Sequence, residues 1–213
     1  IIYRNPESNR RNVERAHARL IEAGFDPVGF ACPEGRWNPG LDEVLEALGY
    51  RYSSDFAVGY DDLPFFPWRG DRFSKVLQIP VHPICEGLFI EAGLDDGQLI
   101  ADHLVRAVRS RIDQGEPAFV YGHPERRLAR FPEVVQALAR EIDQYDLLWR
   151  TTLTEFSRWW LWRGRRRWSV SAVGAGRVEV AFEEWSHTFP ITLEIVRGQH
   201  IASLPLTRPR GRL

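Results

Sequence analysis

The sequence predicts an α/β protein with a small antiparallel β appendage at its C-terminal end. Two observations carry this. Helical and strand-like segments alternate over the first three-quarters of the chain, and near Trp168 the period changes to short strands punctuated by glycine turns. Repeated strand–helix alternation favours parallel strands joined by right-handed crossovers, in an open sheet or a barrel. Residues 1–166 and 167–213 are therefore expected to form two parts.

The elements follow in order. Residues 9–24 place Val13, Ala16, Leu20 and Ile21 on one helical face, and Gly24 supplies a stop. Residues 26–30 read as a short buried strand. In the next helix Asn38 is the cap, Pro39 occupies the first position, Leu41, Val44, Leu45 and Leu48 face inward, and Gly49 fits the C′ position. A strand near Tyr52 leads into a long loop, 55–74, whose aromatics Tyr60, Phe65, Phe66 and Trp68 argue for order. Residues 76–81 are a third strand. The helix over 96–114 buries Ile100, Leu104, Val108 and Ile112, and 118–121 is a fourth strand. Pro132 opens a helix carrying Val135, Leu138 and Ile142, and 147–151 is a fifth strand. Thr152 and Glu155 then make a capping box for a helix through Trp162. Beyond it, 168–171, 177–182, 189–196 and 201–204 read as antiparallel strands, with a frayed tail from Thr207.

Composition narrows the function classes. A net charge of -1 gives no global attraction to nucleic acid or anionic lipid. No apolar run approaches the roughly 20 residues a spanning helix requires. Lys75 is the lone lysine among 28 basic residues, which reads as codon bias. Cys32 and Cys85 allow one disulfide at most and read as incidental. No methionine occurs, and Ile1 stands first, so the sequence reads as processed, excised from a longer protein or truncated. Its compartment is open, with the cytoplasm favoured.

In parallel α/β architectures, ligands gather where strands end. That rule selects 31–37, with Trp37; the loop after the second strand, with Asp61 and Asp62; His82-Pro83 after the third; and Gly122-His123-Pro124-Glu125 after the fourth. Proline after each histidine restricts the backbone there to extended conformations. His17 and His103 lie on helices and read as surface or boundary residues. Each candidate also has a plainer account: Asp61 and Asp62 as turn residues, Trp37 and Trp68 as packing residues, His82 as a turn histidine.

The stretch GFACPEGRWNPGLDEVLEALGYRYSSDF (29–56) resembles the third conserved block of the polysaccharide deacetylases with the NodB-homology domain, of carbohydrate esterase type. YDDLPFFP (60–67) and LQIPVHP (77–83) resemble the middle of that domain, and VYGHPE (120–125) resembles its last motif, where a strand ends in the general-acid histidine. The resemblance covers about 9–162. It implies an incomplete (β/α) barrel, five parallel strands of it present, and a hydrolase of carbon–nitrogen or acetyl ester bonds on a polysaccharide or acetylated glycan. His123 would be its acid, and Trp37, Asp61, Asp62, Trp68 and His82 would line the substrate groove.

The departures are as informative. The family's Thr-Phe-Asp-Asp block, source of its base and one metal ligand, and its His-x-x-x-His block are absent, and Ala31 stands where the family has the arginine that orients the base. No metal ligand set and no cofactor is therefore expected in this chain, a divalent metal being expected only with upstream motifs. The alternative is a non-catalytic module binding a glycan or a protein. A barrel lacking its first strands is also expected to self-associate through an exposed sheet edge. The interleaved tryptophan and arginine of 157–168 could grip nucleic acid or a membrane surface, but Phe156 and Trp160 have core spacing, and burial is the expectation.

Overall fold

The computed structural model describes residues 5–55, 63–174, 176–185, 189 and 191–212. Residues 1–154 and 155–213 form separate compact units.

The first unit opens with α1 (Pro6–Glu22). The Asn5 side chain accepts the Ser8 N–H at 3.1 Å, and Pro6 sits where no N–H is needed. A short strand, β1 (Gly29–Phe30), leads to α2 (Pro39–Ala47), capped as the sequence predicts: Asn38 accepts the Leu41 N–H at 2.9 Å. Gly49 has φ +81°, a left-handed conformation that glycine adopts without penalty, and the chain turns there into β2 (Tyr52–Ser53). After β3 (Leu77–Gln78) come α3 (Glu86–Glu91), which the periodicity did not reveal, and α4 (Gly97–Asp113), whose N-cap Asp96 accepts from Gln98 and Leu99. α5 (Pro132–Ile142) packs on α4, and α6 (Leu153–Gly164) starts directly after Thr152.

β1, β2 and β3 form a parallel sheet in that order, pairing Gly29 with Tyr52 and Tyr52 with Leu77. Gly29 is required here, because a Cβ at this position would lie 2.0 Å from the Tyr52 ring. One apolar cluster joins Val13 of α1, Leu41, Val44 and Leu45 of α2, Tyr50 and Val76. A second joins Ile100, Ala101 and Leu104 of α4 to Phe131 and Val134.

Several expectations are corrected. Leu20 and Ile21 are 40% and 49% exposed, because nine-residue α2 covers only about half the length of seventeen-residue α1. The inward valine of α5 is Val134; Val135 is exposed. The buried stripe of α5 ends in a polar residue that an apolar pattern cannot show: Glu141 holds Arg109 of α4 by two hydrogen bonds, 2.8 and 2.7 Å. Neither the fourth nor the fifth strand forms a ladder. The segment 118–121 lies beside 80–83, but Pro80 and Pro83 have no N–H, leaving the 2.7 Å bond from the His82 N–H to the Phe119 carbonyl. Residues 147–151 pair with no described strand, and Leu147 is 97% exposed. The parallel sheet thus has three strands among the described residues, and no barrel is formed by them.

In the second unit β4 (Trp168–Gly174), β5 (Arg177–Phe182) and β8 (Arg210–Arg212) form one antiparallel sheet; β6 (Ile191–Arg197) and β7 (His200–Leu206) form a hairpin. The tail read as frayed is therefore ordered: β8 pairs Gly211 with Val180, and Val180, Leu206 and Gly211 are buried. Two arginines of the tryptophan-rich run lie over its rings. Arg163 lies 4.7 Å from the Trp160 ring centre and Arg166 5.0 Å from that of Trp162. Arg166 also pairs with Glu184 at 2.6 Å.

Two carboxyls are fully buried beside the parallel sheet. Asp42 of α2 accepts the Ser74 hydroxyl at 2.9 Å and faces Arg69 at 3.6 Å, yet burial still raises its pKa. Asp55, after β2, accepts the Cys32 N–H at 2.8 Å, and burial pushes its pKa up to about 6. A carboxyl raised in the folded state binds more protons there than in the unfolded chain. Its contribution to stability therefore falls as pH rises from about 4 to about 6 and stays low above. Urea unfolding at pH 4.5 and 7.5 is expected to show Asp55→Asn removing up to about 2 kcal/mol of the stability difference between the two pH values. Gly29→Ala, by displacing the Tyr52 ring, is expected to cost about 1–3 kcal/mol in the same assay at either pH.

Candidate functional site

His123 is placed by a carboxylate that has no access to water. Glu86 is the first residue of α3 and is fully buried. Its Oε1 accepts the His123 backbone N–H at 2.5 Å and lies 3.0 Å from His123 Nδ1. One oxygen thereby fixes both the main chain and the ring. The His123 side chain is 51% exposed, so the ring is not enclosed in the core. Gly122 makes room for this arrangement, since a Cβ there would lie 2.9 Å from Glu86 Oε2. The turn that follows is tight: Arg126 has φ +62°, and the Leu128 N–H returns to the His123 carbonyl at 2.9 Å.

Nδ1 facing a carboxylate oxygen is the donor tautomer at that nitrogen, which leaves Nε2 as the atom able to exchange a proton with a ligand. Cys85 lies beside the pair, and its thiol, a Glu86 oxygen and a His123 nitrogen fall within 4.8 Å of one another. Glu86 Oε2 is buried and has no hydrogen-bond partner. Sulfur, oxygen and nitrogen donors at that spacing could hold a soft divalent ion. This is not the one-aspartate, two-histidine set that the family resemblance implies. Among the described residues no other group of three such donors is assembled, so the residues present do not fit that family's metal.

The other candidates divide among different partners. His82 Nε2 is 2.9 Å from Nε2 of His103, a residue expected at the surface or boundary and found half-buried. The Trp37 indole lies beside Asp42 and opposes the rise of that carboxyl's pKa. Trp68 is 55% exposed and stacks edge-on against Phe73, ring centres 5.1 Å apart. Asp61 and Asp62 lie outside the described residues. The segments of His82 and His123 are neighbours, through the bond from His82 to Phe119 and that from the Tyr121 hydroxyl to the Pro83 carbonyl at 3.4 Å. Cys32 and Cys85 are both buried and are not joined in a disulfide.

Sequence reasoning missed Glu86, Cys85 and His103. The signal for Glu86 was slight: a carboxylate beginning a six-residue helix, 37 residues from the histidine it holds.

No protein-family model matches the chain, and no curated protein matches it. Among solved structures it is similar to the crystal structure of a "putative polysaccharide deacetylase" from Mycobacterium smegmatis, with a TM-score of 0.62 at 19% identity. The likeness covers 76% of this chain and 59% of that one, so the chain spans little more than half the length of this neighbour. No helix among the described residues is long and apolar enough to cross a membrane. With its three parallel strands, its flanking helices and this structural neighbour, the chain has a polysaccharide deacetylase-like fold.

Proposed function

We propose that this chain is the later portion of a hydrolase that removes acetyl groups, as amides or esters, from a polysaccharide, with His123 as its proton-transfer residue. The observation that carries the reading is the Glu86–His123 pair: a half-exposed imidazole whose Nδ1 is held by a buried carboxylate, on a deacetylase-like fold. In its imidazolium form a ring so fixed donates the Nε2 proton to a leaving amine or alkoxide as the acyl bond breaks, and is left as the neutral Nδ1–H tautomer. Glu86 does not exchange the proton; it sets tautomer and orientation. Trp68, exposed and braced by Phe73, supports a sugar-stacking role at the groove.

A second reading, a non-catalytic module that binds a glycan, is favoured by Ala31. It follows β1, at the position of the family's base-orienting arginine, and no side chain there can do that work.

The 213-residue chain alone is expected to release no acetate from acetylated chito-oligosaccharides or acetylated xylan, because it holds neither base nor family metal set. The protein extended through its preceding coding sequence is expected to release it. In that protein His123→Ala should lower kcat about 10²–10⁴-fold with KM little changed. Glu86→Gln should lower kcat less and shift the acid-dependent limb of the pH–rate profile. An extended protein that binds these oligosaccharides in calorimetry yet releases no acetate supports the binding module instead.

A further inference from the structure

A cavity of about 290 Å³ lies between α4, the segment 80–82 that follows β3, and the segment 117–120. α4 offers it His103, Arg106, Ala107 and Ser110, positions i, i+3, i+4 and i+7 of one helical face. Across from them stands His82, its Nε2 2.9 Å from Nε2 of His103.

The chemistry of the wall is one-sided. Among the described residues its titratable and charged groups are His82, His103, Arg106 and Arg111, and no described aspartate or glutamate lines it. Arg111 is already engaged, with Glu116 at 2.6 Å and the Pro117 carbonyl at 3.3 Å. Arg106 makes no hydrogen bond or ion pair with any described residue, and its charge acts on His103. The segment 117–120 contributes only Pro, Ala, Phe and Val, and the Phe89 ring backs His103 at 5.2 Å between ring centres. α5, packed on α4, brings its buried carboxylate to Arg109, which does not line the cavity.

Two imidazoles in Nε2-to-Nε2 contact share one N–H: one ring donates and the other accepts. Burial lowers the pKa of both, and each also feels a neighbouring cation, His103 on His82 and Arg106 on His103. A second proton would set two N–H donors against each other beside Arg106, where no described residue of the wall is an acid. An anion placed there would accept from Arg106 and from both rings.

We propose that this cavity binds a small organic carboxylate, in the form of a sugar acid, with Arg106 and the His82–His103 pair as its receptors. The apolar wall of 117–120 suits the carbon skeleton, and the volume suits one monosaccharide-sized group. The acid is either free or a uronate residue within a glycan. The binding claim stands apart from the hydrolase reading, which only the glycan source would extend.

Isothermal titration of the 213-residue chain with glucuronate, glucose and a glucuronate-containing oligosaccharide tests this at pH 5.5 and 8. Glucuronate should bind at least tenfold more tightly at pH 5.5, because binding the anion takes up a proton at the histidine pair. Glucose should not bind measurably. Arg106→Gln, a change at an exposed position that leaves the fold intact by circular dichroism, should weaken glucuronate at least tenfold, and His103→Gln should remove the pH dependence. Oligosaccharide binding abolished by Arg106→Gln identifies the glycan as the source; binding of glucuronate alone identifies the free acid. The proposal fails if glucuronate does not bind at either pH, if glucose binds as well, or if Arg106→Gln leaves affinity unchanged.

Discussion

The geometry around His123 depends on one buried carboxylate. Glu86 has no exposure, and an isolated carboxylate without water is held only where hydrogen bonds compensate its lost hydration. Its Oε1 takes both donors that His123 can offer from backbone and ring, so α3 and the turn after 118–121 are tied at one atom. The absence of a side chain at Gly122 is what lets the carboxylate approach. The histidine is therefore oriented by an element that precedes it by 37 residues, not by its own strand.

A similar logic organises the sheet end. The acidic face of α2 binds the segment that leads to β3: Asp42 holds Ser74, and Glu46 holds Arg72 at 2.8 Å and Arg69 at 3.2 Å. Arg72, in return, holds the Glu46 carboxyl below its ordinary value. These bonds anchor a segment with little regular structure of its own. They leave Trp68 and Phe73 as an exposed, mutually stacked pair on an anchored loop. Rigid support beneath an exposed aromatic is what a stacking surface requires.

The likeness to a crystal structure at 19% identity concerns the fold, and chemistry has to be argued from side chains. By that standard the chain is divided. The Glu86–His123 pair has the form of a proton-transfer device, while Ala31 and the lack of a clustered aspartate–histidine set leave no partner for it among the described residues. The cavity beside His82 and His103 is a separate feature, walled by the same extended segment that precedes His123.

The sequence by itself determined what depends on neighbours along the chain. Asn38, Pro39 and Gly49 fixed the ends of α2; Asp96 capped α4; the change of period at Trp168 marked the antiparallel unit; and the ordered motifs from Gly29 to Glu125 indicated the deacetylase-like fold. Tertiary structure decided whatever depends on meeting a distant partner. Residues 118–121 have strand composition, but a ladder also needs donors opposite, and Pro80 and Pro83 lack them. Residues 147–151 pair with no described strand, whereas 210–212, read as a loose end, found the free side of β5. The pairing of His103 with His82 was not legible, because helical spacing cannot show which remote residue stands opposite. Local signals such as caps and turns act within three or four residues and are written in the sequence. Burial and pairing arise only when remote segments are brought together, and there the site was made.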